Sequence, residues 1–254
     1  MKVGVFGANG RIGRLLVEIL SQHQECKLSA VFVRHKIDVA LPSGCLVTND
    51  YQEFIKACDV IIDFSLPEAT QQLLNHLLIS PLPLVCGTTG LQPEVLGLME
   101  ELAKKTPVLY ATNMSKGIAI LNAILKKVAT NFKESDIEIC EIHHHNKKDA
   151  PSGTALTLAE TCAKSRGLDL SKVRVSGRDG NIGARTKDEI GVVSLRGGDI
   201  AGRHTVGFYA DGEYLEFTHN ATSRLTFAKG AVDASIWLVK QKNNLYHMQD
   251  MMQF

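Results

Sequence analysis

The sequence predicts an α/β chain in two parts: a parallel sheet covered by helices, followed by an α+β part with a mixed sheet. Three observations carry this. Short apolar strands alternate with amphipathic helices through the first half, which is the rhythm of a parallel sheet. Glycines at 7, 10 and 13 stand at the turn from the first strand into the first helix, as in a Rossmann-like sheet. After about Ser115 the texture changes, and the later strands include a hairpin signal.

Val3-Gly4-Val5-Phe6 is the first strand. From Arg11 to Leu20 the residues Ile12, Leu15, Leu16 and Ile19 fall at i, i+3, i+4 and i+7, which makes one apolar helical face. Further strands are expected at Leu28 to Val33, Val60 to Phe64, Leu82 to Cys86 and Val108 to Ala111. Helices between them start near Pro67 and Pro93, where proline is favoured because the N–H it lacks would have no intrahelical partner. The strand ends at 63–65, 87–90 and 111–115 then share one carboxyl edge, where open α/β sheets bind ligands.

A helix from Gly117 to Thr130, a strand from Asp136 to Ile142, a histidine-rich segment and a helix from Thr154 to Arg166 come next. Gly167 to Asp188 is expected to be a loop, and loops of that length are commonly functional, here as a lid or an assembly element. Strands follow at Ile190 to Leu195, Thr205 to Ala210 and Glu213 to Thr218, with Asp211-Gly212 as a two-residue turn. The last helix, Lys229 to Lys240, carries Val232, Ile236, Trp237 and Val239 and is expected to pack back on the first part. That makes the N-terminal domain discontinuous, 1–115 with 225–254, around a second domain of 116–224.

With 254 residues the chain can bury a full core. Its 28 basic and 27 acidic residues give a net charge of +1, so no chain-wide field attracts nucleic acid or an anionic membrane, and any anion site must be local. Glycines interrupt the opening apolar run, and no segment reaches membrane-spanning length, so a soluble cytoplasmic protein is expected. The six cysteines form no C-x-x-C pair and fall mostly in apolar patterns, which predicts buried reduced thiols.

Gly7, Gly10 and Gly13 permit a tight turn, close approach of a pyrophosphate to backbone N–H groups and close helix packing. The spacing is G-x-x-G-x-x-G, with Asn9 where the better-known G-x-G-x-x-G form has its second glycine. The second strand ends Val33-Arg34-His35-Lys36, and Arg34 offers a planar cation suited to a 2′-phosphate, where an NAD site would present a carboxylate. NADPH is therefore the expected donor, with residual NADH use. The bland reading, a solvated strand end, is weakened by its position relative to the glycine motif.

The segment His143-His144-His145-Asn146-Lys147-Lys148-Asp149-Ala150-Pro151-Ser152-Gly153-Thr154 is the second candidate site. His143 can donate or accept a proton near neutral pH, and Lys147 can neutralise a carboxylate or charge on a ring nitrogen. The N–H groups of Gly153 and Thr154, with the Thr154 hydroxyl, make a carboxylate cradle at a helix start. Three histidines in a row raise a metal site, but on an extended backbone His143 and His145 face one way and His144 the other, and the lysines would repel a cation; no metal is expected. A solvated polar loop with an ordinary helix cap is the bland alternative.

These residues resemble a family. The Val5 to Gly13 stretch, Cys86-Gly87-Thr88-Thr89-Gly90, Asn113-Met114-Ser115, the histidine segment and Arg196-Gly197-Gly198-Asp199-Ile200-Ala201-Gly202-Arg203-His204-Thr205 resemble, in order, the dihydrodipicolinate reductases. The resemblance implies reduction of a cyclic dicarboxylate imine by NAD(P)H in the diaminopimelate route to lysine, by a homotetramer built through the central strands of the second domain. It implies that Gly7, Ala8, Asn9, Gly10, Arg11 and Ile12 hold the pyrophosphate and that Arg34 meets the 2′-phosphate. Gly87, Thr88 and Thr89 with Ala111, Thr112, Asn113 and Met114 would line the nicotinamide half. His143 and Lys147 would be catalytic, and His144, Gly153 and Thr154 would bind substrate. Val33 stands where many members carry an acid, and His145-Asn146 replace a more basic pair. Two rivals share the N-terminal half: a semialdehyde dehydrogenase, which would need a nucleophilic cysteine, and a non-catalytic NADP sensor.

Overall fold

The computed structural model describes residues 1–34 and 36–252; His35, Gln253 and Phe254 lie outside the described residues. The chain divides into two compact units, Met1–Lys116 with Leu225–Phe254, and Gly117–Arg224.

In the first unit, β1 (Lys2–Phe6), α1 (Arg11–Gln22), β2 (Lys27–Phe32), β3 (Leu46–Thr48), α2 (Tyr51–Lys56), β4 (Val60–Asp63), α3 (Pro67–Ile79), β5 (Leu84–Cys86), α4 (Pro93–Ala103) and β6 (Val108–Tyr110) follow in turn. After the second unit the chain returns with α8 (Leu225–Leu238), β12 (Leu245–Tyr246) and a 3-10 turn at Met248–Met251. The sheet has seven parallel strands in the order β12-β6-β5-β4-β1-β2-β3. The strand order reverses between β1 and β4, and a crevice opens outside the strand ends at such a switch point.

Strand alternation splits the core. Phe6, Ala30, Phe32, Ile61, Leu84 and Val108 face α2, α3 and α4, whose Phe54, Leu73, Leu77 and Met99 are fully buried. Each such side chain contributes about 1.5–3 kcal/mol when removed from water. Helix α8 packs on α1 and on β4, β5 and β6. Its Gly230 lets it reach the backbone after β6, since a Cβ there would stand 1.8 Å from the Met114 carbonyl oxygen.

The second unit contains α5 (Lys116–Asn131), β7 (Asp136–His143), α6 (Gly153–Ser165), α7 (Leu170–Val173), β8 (Arg174–Val175), β9 (Ile190–Arg196), β10 (Gly202–Ala210) and β11 (Glu213–Ala221). Its sheet, β11-β10-β7-β9-β8, is mixed: β9 runs parallel to β7 and β8, while β10 is antiparallel to β7 and β11. Ile137, Ile139, Val192, Val206 and Phe208 bury against α5 and α6. Gly212 takes the turn between β10 and β11 at φ +86°.

Several boundaries differ from the sequence reading. The second strand stops at Phe32, although the Val33 N–H still donates to the Thr48 carbonyl of β3 at 3.0 Å; α6 starts one residue earlier, at Gly153; and α8 starts at Leu225 rather than near Lys229. The expected loop from Gly167 contains α7 and β8, and its remainder is anchored at Arg178 and Arg185. Arg178 donates to both Glu138 oxygens at 3.1 and 2.7 Å, and Arg185 donates to Asp136 at 2.7 Å and to the Ile137 carbonyl at 3.1 Å. The histidine segment is also less extended than expected: β7 ends at His143, and His145-Asn146 form a turn, so strand alternation does not reach His145.

Candidate active site

In the first unit the glycine motif closes the turn from β1 into α1. Gly7 adopts φ +89°, where a side chain would be strained and its Cβ would meet the Phe64 carbonyl oxygen at 2.5 Å. A Cβ on Gly13 would lie 2.1 Å from the Gly7 oxygen, so α1 can sit against the turn only as built. The Gly10 N–H donates back to Gly7 at 3.0 Å, and the first-turn N–H groups of α1, at Arg11 and Ile12, have no carbonyl one turn before them. N–H groups of this kind at the positive end of a helix suit an anion.

A cavity of about 350 Å³ opens beside this turn. Its wall takes Gly7, Ala8, Asn9 and Gly10 from the motif, Val33 and Arg34 from the end of β2, and Phe64, Ser65 and Leu66 from the end of β4. Phe32 and Tyr51, with ring centroids 4.5 Å apart, add an aromatic side that the sequence reading did not identify. Backbone donors, an apolar wall and one cation fit the phosphate and adenosine portions of a dinucleotide. Asn9 acquires a use in place of the second glycine: its side chain donates to the Lys36 carbonyl at 3.2 Å and accepts from the Asp38 N–H at 3.4 Å. Arg14 pairs with Asp38 at 2.5 Å, so Asp38 is tied to α1.

The other predicted cofactor residues lie on neighbouring strand ends and not in this cavity wall. Gly87 follows β5 and leaves room for the Phe64 ring, which a Cβ would meet at 2.4 Å. Buried Thr88 accepts from the Ser65 N–H at 3.0 Å, whereas Thr89 is exposed. Ala111 donates to the Cys86 carbonyl at 3.1 Å, Asn113 accepts from the Ser115 N–H at 2.8 Å, Thr112 is exposed and Met114 is buried. Beneath these ends the fully buried Asp63 accepts from Thr70 at 2.6 Å, and burial raises its carboxyl above the usual range despite its hydrogen bonds.

In the second unit the sheet carries a polar cluster on the face that its helices cover. Along β7 the buried positions are Ile137, Ile139, Glu141 and His143, so the apolar stripe ends in an acid and a histidine. Glu141 is 0 % exposed. Its Oε2 accepts from His143 Nδ1 at 2.6 Å and from Arg196 at 2.9 Å; its Oε1 accepts from Arg196 at 2.9 Å and from the Ser152 N–H at 3.0 Å. The pairing is bidentate, and removing one partner of a buried pair of this kind costs about 3–5 kcal/mol. Burial alone would raise Glu141, but the bonds from Arg196, His143 and Ser152 prevail and hold it at about 2.

Ser152 caps α6, its hydroxyl accepting from the Ala155 N–H at 3.2 Å and standing 3.1 Å from His204 Nε2. His204, 3 % exposed, packs edge-on against His143 with ring centroids 5.2 Å apart, and burial pushes it down to about 3. Burial also lowers His143, partly offset by Glu141. Lys147 donates to Asp149 at 2.9 Å, and the Asp149 carbonyl accepts from Arg196 at 2.6 Å, which links the lysine to the same network. His144 is half-buried and its N–H donates to the Ile200 carbonyl at 2.8 Å. Gly153 and Thr154 occupy the first turn of α6, as the cradle requires.

The structure thus brings His143, Lys147 and the start of α6 into one network, and it adds Glu141, Ser152, Arg196 and His204. A signal for Glu141 was present, since it occupies a buried parity position in the strand. Arg196 and His204 come from strands distant in sequence, and nothing local marks their meeting with β7. Among the described residues, no group of His, Cys, Asp and Glu is arranged to hold a metal ion.

Solved structures share this fold. A dipicolinate-bound dihydrodipicolinate reductase from Paenisporosarcina sp. TG-14 superposes with a TM-score of 0.81 over 99% of both chains at 24% identity. A probable dehydrogenase from Thermotoga maritima gives 0.64 over 98% of this chain and 92% of that one at 12% identity. Fold and relatives define the class, an oxidoreductase with a Rossmann-like unit for a nicotinamide cofactor. The family model "Dihydrodipicolinate reductase, N-terminus" matches residues 1–114, and "Dihydrodipicolinate reductase, C-terminus" matches 117–252. The 4-hydroxy-tetrahydrodipicolinate reductases of Helicobacter hepaticus and Wolinella succinogenes are 62% and 60% identical over 250 residues, 98% of each chain. This chain belongs to the dihydrodipicolinate reductase family.

Proposed function

We propose that this chain reduces 4-hydroxy-tetrahydrodipicolinate to tetrahydrodipicolinate in the diaminopimelate route to lysine, with NADPH preferred and NADH a secondary donor. The carrying observation is the single network that joins His143, Lys147 and the start of α6 in a chain of this family. The unit 1–115 with 225–254 binds the cofactor, and 116–224 binds substrate and assembles the protein.

Gly7, Ala8, Asn9, Gly10, Arg11 and Ile12 hold the pyrophosphate through backbone N–H groups, and Arg34 takes the 2′-phosphate. Gly87, Thr88 and Thr89 with Ala111, Thr112, Asn113 and Met114 receive the nicotinamide half. Loss of the 4-hydroxyl with a neighbouring ring hydrogen, as water, would leave a ring carbon conjugated with C=N, and the bound cofactor would supply its hydride there. Gly153 and Thr154 hold one substrate carboxylate at the α6 N-terminus, and His144 adds a further contact. Lys147 neutralises charge on the ring, and His143 delivers the proton that completes the reduction.

All six thiols are raised by burial, Cys162 to about 12, which disfavours an acylating semialdehyde dehydrogenase that needs an activated cysteine. A non-catalytic sensor leaves the second-unit network without a use. His143→Ala and Lys147→Ala are each expected to lower kcat by about 100-fold or more while leaving the cofactor Kd within about threefold, as for loss of a general acid or a charge stabiliser. Wild-type turnover in either variant removes that residue from catalysis.

The exposed face of the second-unit sheet presents Leu195 and Tyr214, which suits assembly through its strands. A cytoplasmic homotetramer is proposed, and sedimentation should give the mass of four copies of a 27.8 kDa chain. A monomer mass would refute the assembly. No described helix is long and apolar enough to cross a membrane.

A further inference from the structure

A fully buried carboxylate that accepts four hydrogen bonds within 3.0 Å has its lone pairs committed. Two come from the Arg196 guanidinium, which has no acceptor to offer, and one comes from a backbone N–H. Glu141 is therefore an acceptor on all sides, and the 2.6 Å contact to His143 can form only if Nδ1 carries a hydrogen. A neutral histidine side chain in water prefers the other tautomer, Nε2–H, so the protein imposes this one. The consequence lies at the other end of the ring: Nε2 is left as the atom that gains and loses the proton.

The ring's place is also fixed at its Nε2 end. Gly202, the first residue of β10, approaches it so closely that an added Cβ would stand 3.0 Å away. The same carboxylate holds the Ser152 N–H, one residue before the cradle at Gly153 and Thr154. One side chain thus sets both the direction of His143 and the position of the helix start.

We infer that Glu141, clamped by Arg196, is a positioning residue that fixes His143 as the Nδ1–H tautomer and couples its orientation to the N-terminus of α6, so that Nε2 alone exchanges protons. The inference rests on the catalytic use of His143 proposed above, but its structural half can be read without substrate. The charged and titratable groups facing His143 are Glu141 on β7, Arg196 on β9, His204 on β10 and Lys147 in the following turn.

The test is the ring ¹⁵N spectrum of histidine-labelled protein, free of ligand, across a pH titration. His143→Gln assigns the resonance. Neutral His143 in the wild type should show a protonated Nδ1 and a bare Nε2. Glu141→Gln should shift the ring toward the Nε2–H form, because the amide must turn a donor toward one of the surrounding donors. The same variant should lower kcat about 100-fold or more, leave the KM for NADPH unchanged and move the alkaline limb of the kcat profile to lower pH, since the ring loses its counter-charge and its proton-donating form is lost earlier. A neutral wild-type ring protonated at Nε2 overturns the inference, as does Glu141→Gln with the wild-type tautomer and pH profile. If Glu141→Gln does not fold, the wild-type spectrum decides alone. If His143→Ala keeps full turnover while the spectrum shows Nδ1–H, the catalytic reading fails and the tautomer assignment stands.

Discussion

Arg34 and Glu141 are both charged, yet their positions give them opposite tasks. Arg34 is exposed in a cavity wall, where its guanidinium can meet an incoming anion; Glu141 is sealed inside the second unit, where its charge can only organise neighbours. A charge-assisted hydrogen bond is worth about 1.5–3 kcal/mol, so Arg34→Ala should raise the KM for NADPH by about tenfold or more and leave that for NADH within about twofold. Steady-state kinetics with both donors checks this, and an unchanged preference would remove Arg34 from phosphate recognition.

At the scale of elements, α6 matters most, because its start is fastened to β7 through Glu141 and to β10 through His204. Ser152→Ala removes the cap on the Ala155 N–H and the hydroxyl beside His204. Loss of such a cap costs about 1 kcal/mol, which in a chain of this size lowers the Tm by about 2–4 °C. A thermal melt identical to wild type would mean that the cap carries no weight. The helices of the first unit were legible where a local signal is strong: α1 follows its apolar spacing, and Pro67 and Pro93 stand at the starts of α3 and α4. Short β3, α2 and β12 were not found, because two to six residues are too few to show a period, although Asp50 caps α2 by accepting from the Glu53 N–H. His143, Lys147 and Gly153 could be singled out because they crowd one stretch of chain. Their partners Arg196 and His204 arrive through β9–β7 and β10–β7 pairing, a long-range register that local pattern does not encode.

For the whole molecule, the buried network sets how stability depends on pH. His204 titrates at about 3 in the folded chain against 6.5 for an ordinary histidine, and His143 is shifted in the same direction. A depressed folded value means that the stabilisation is complete above about 6.5 and is lost as pH falls toward 3. Glu141, held at about 2 against 4.5, adds a second loss at lower pH, while Asp63, raised by burial, works in the opposite sense. The Tm should therefore fall between about pH 7 and pH 4.5, and His204→Gln should flatten that slope; equal slopes would contradict the part given to His204. The most direct test of the proposed function is oxidation of NADPH by the purified wild-type chain with freshly generated 4-hydroxy-tetrahydrodipicolinate and, separately, reduction of NADP⁺ with aspartate semialdehyde and phosphate. NADPH oxidation that depends on the cyclic dicarboxylate, with no NADP⁺ reduction on the semialdehyde, is the predicted result; no oxidation with the dicarboxylate, or activity on the semialdehyde in its place, would contradict it.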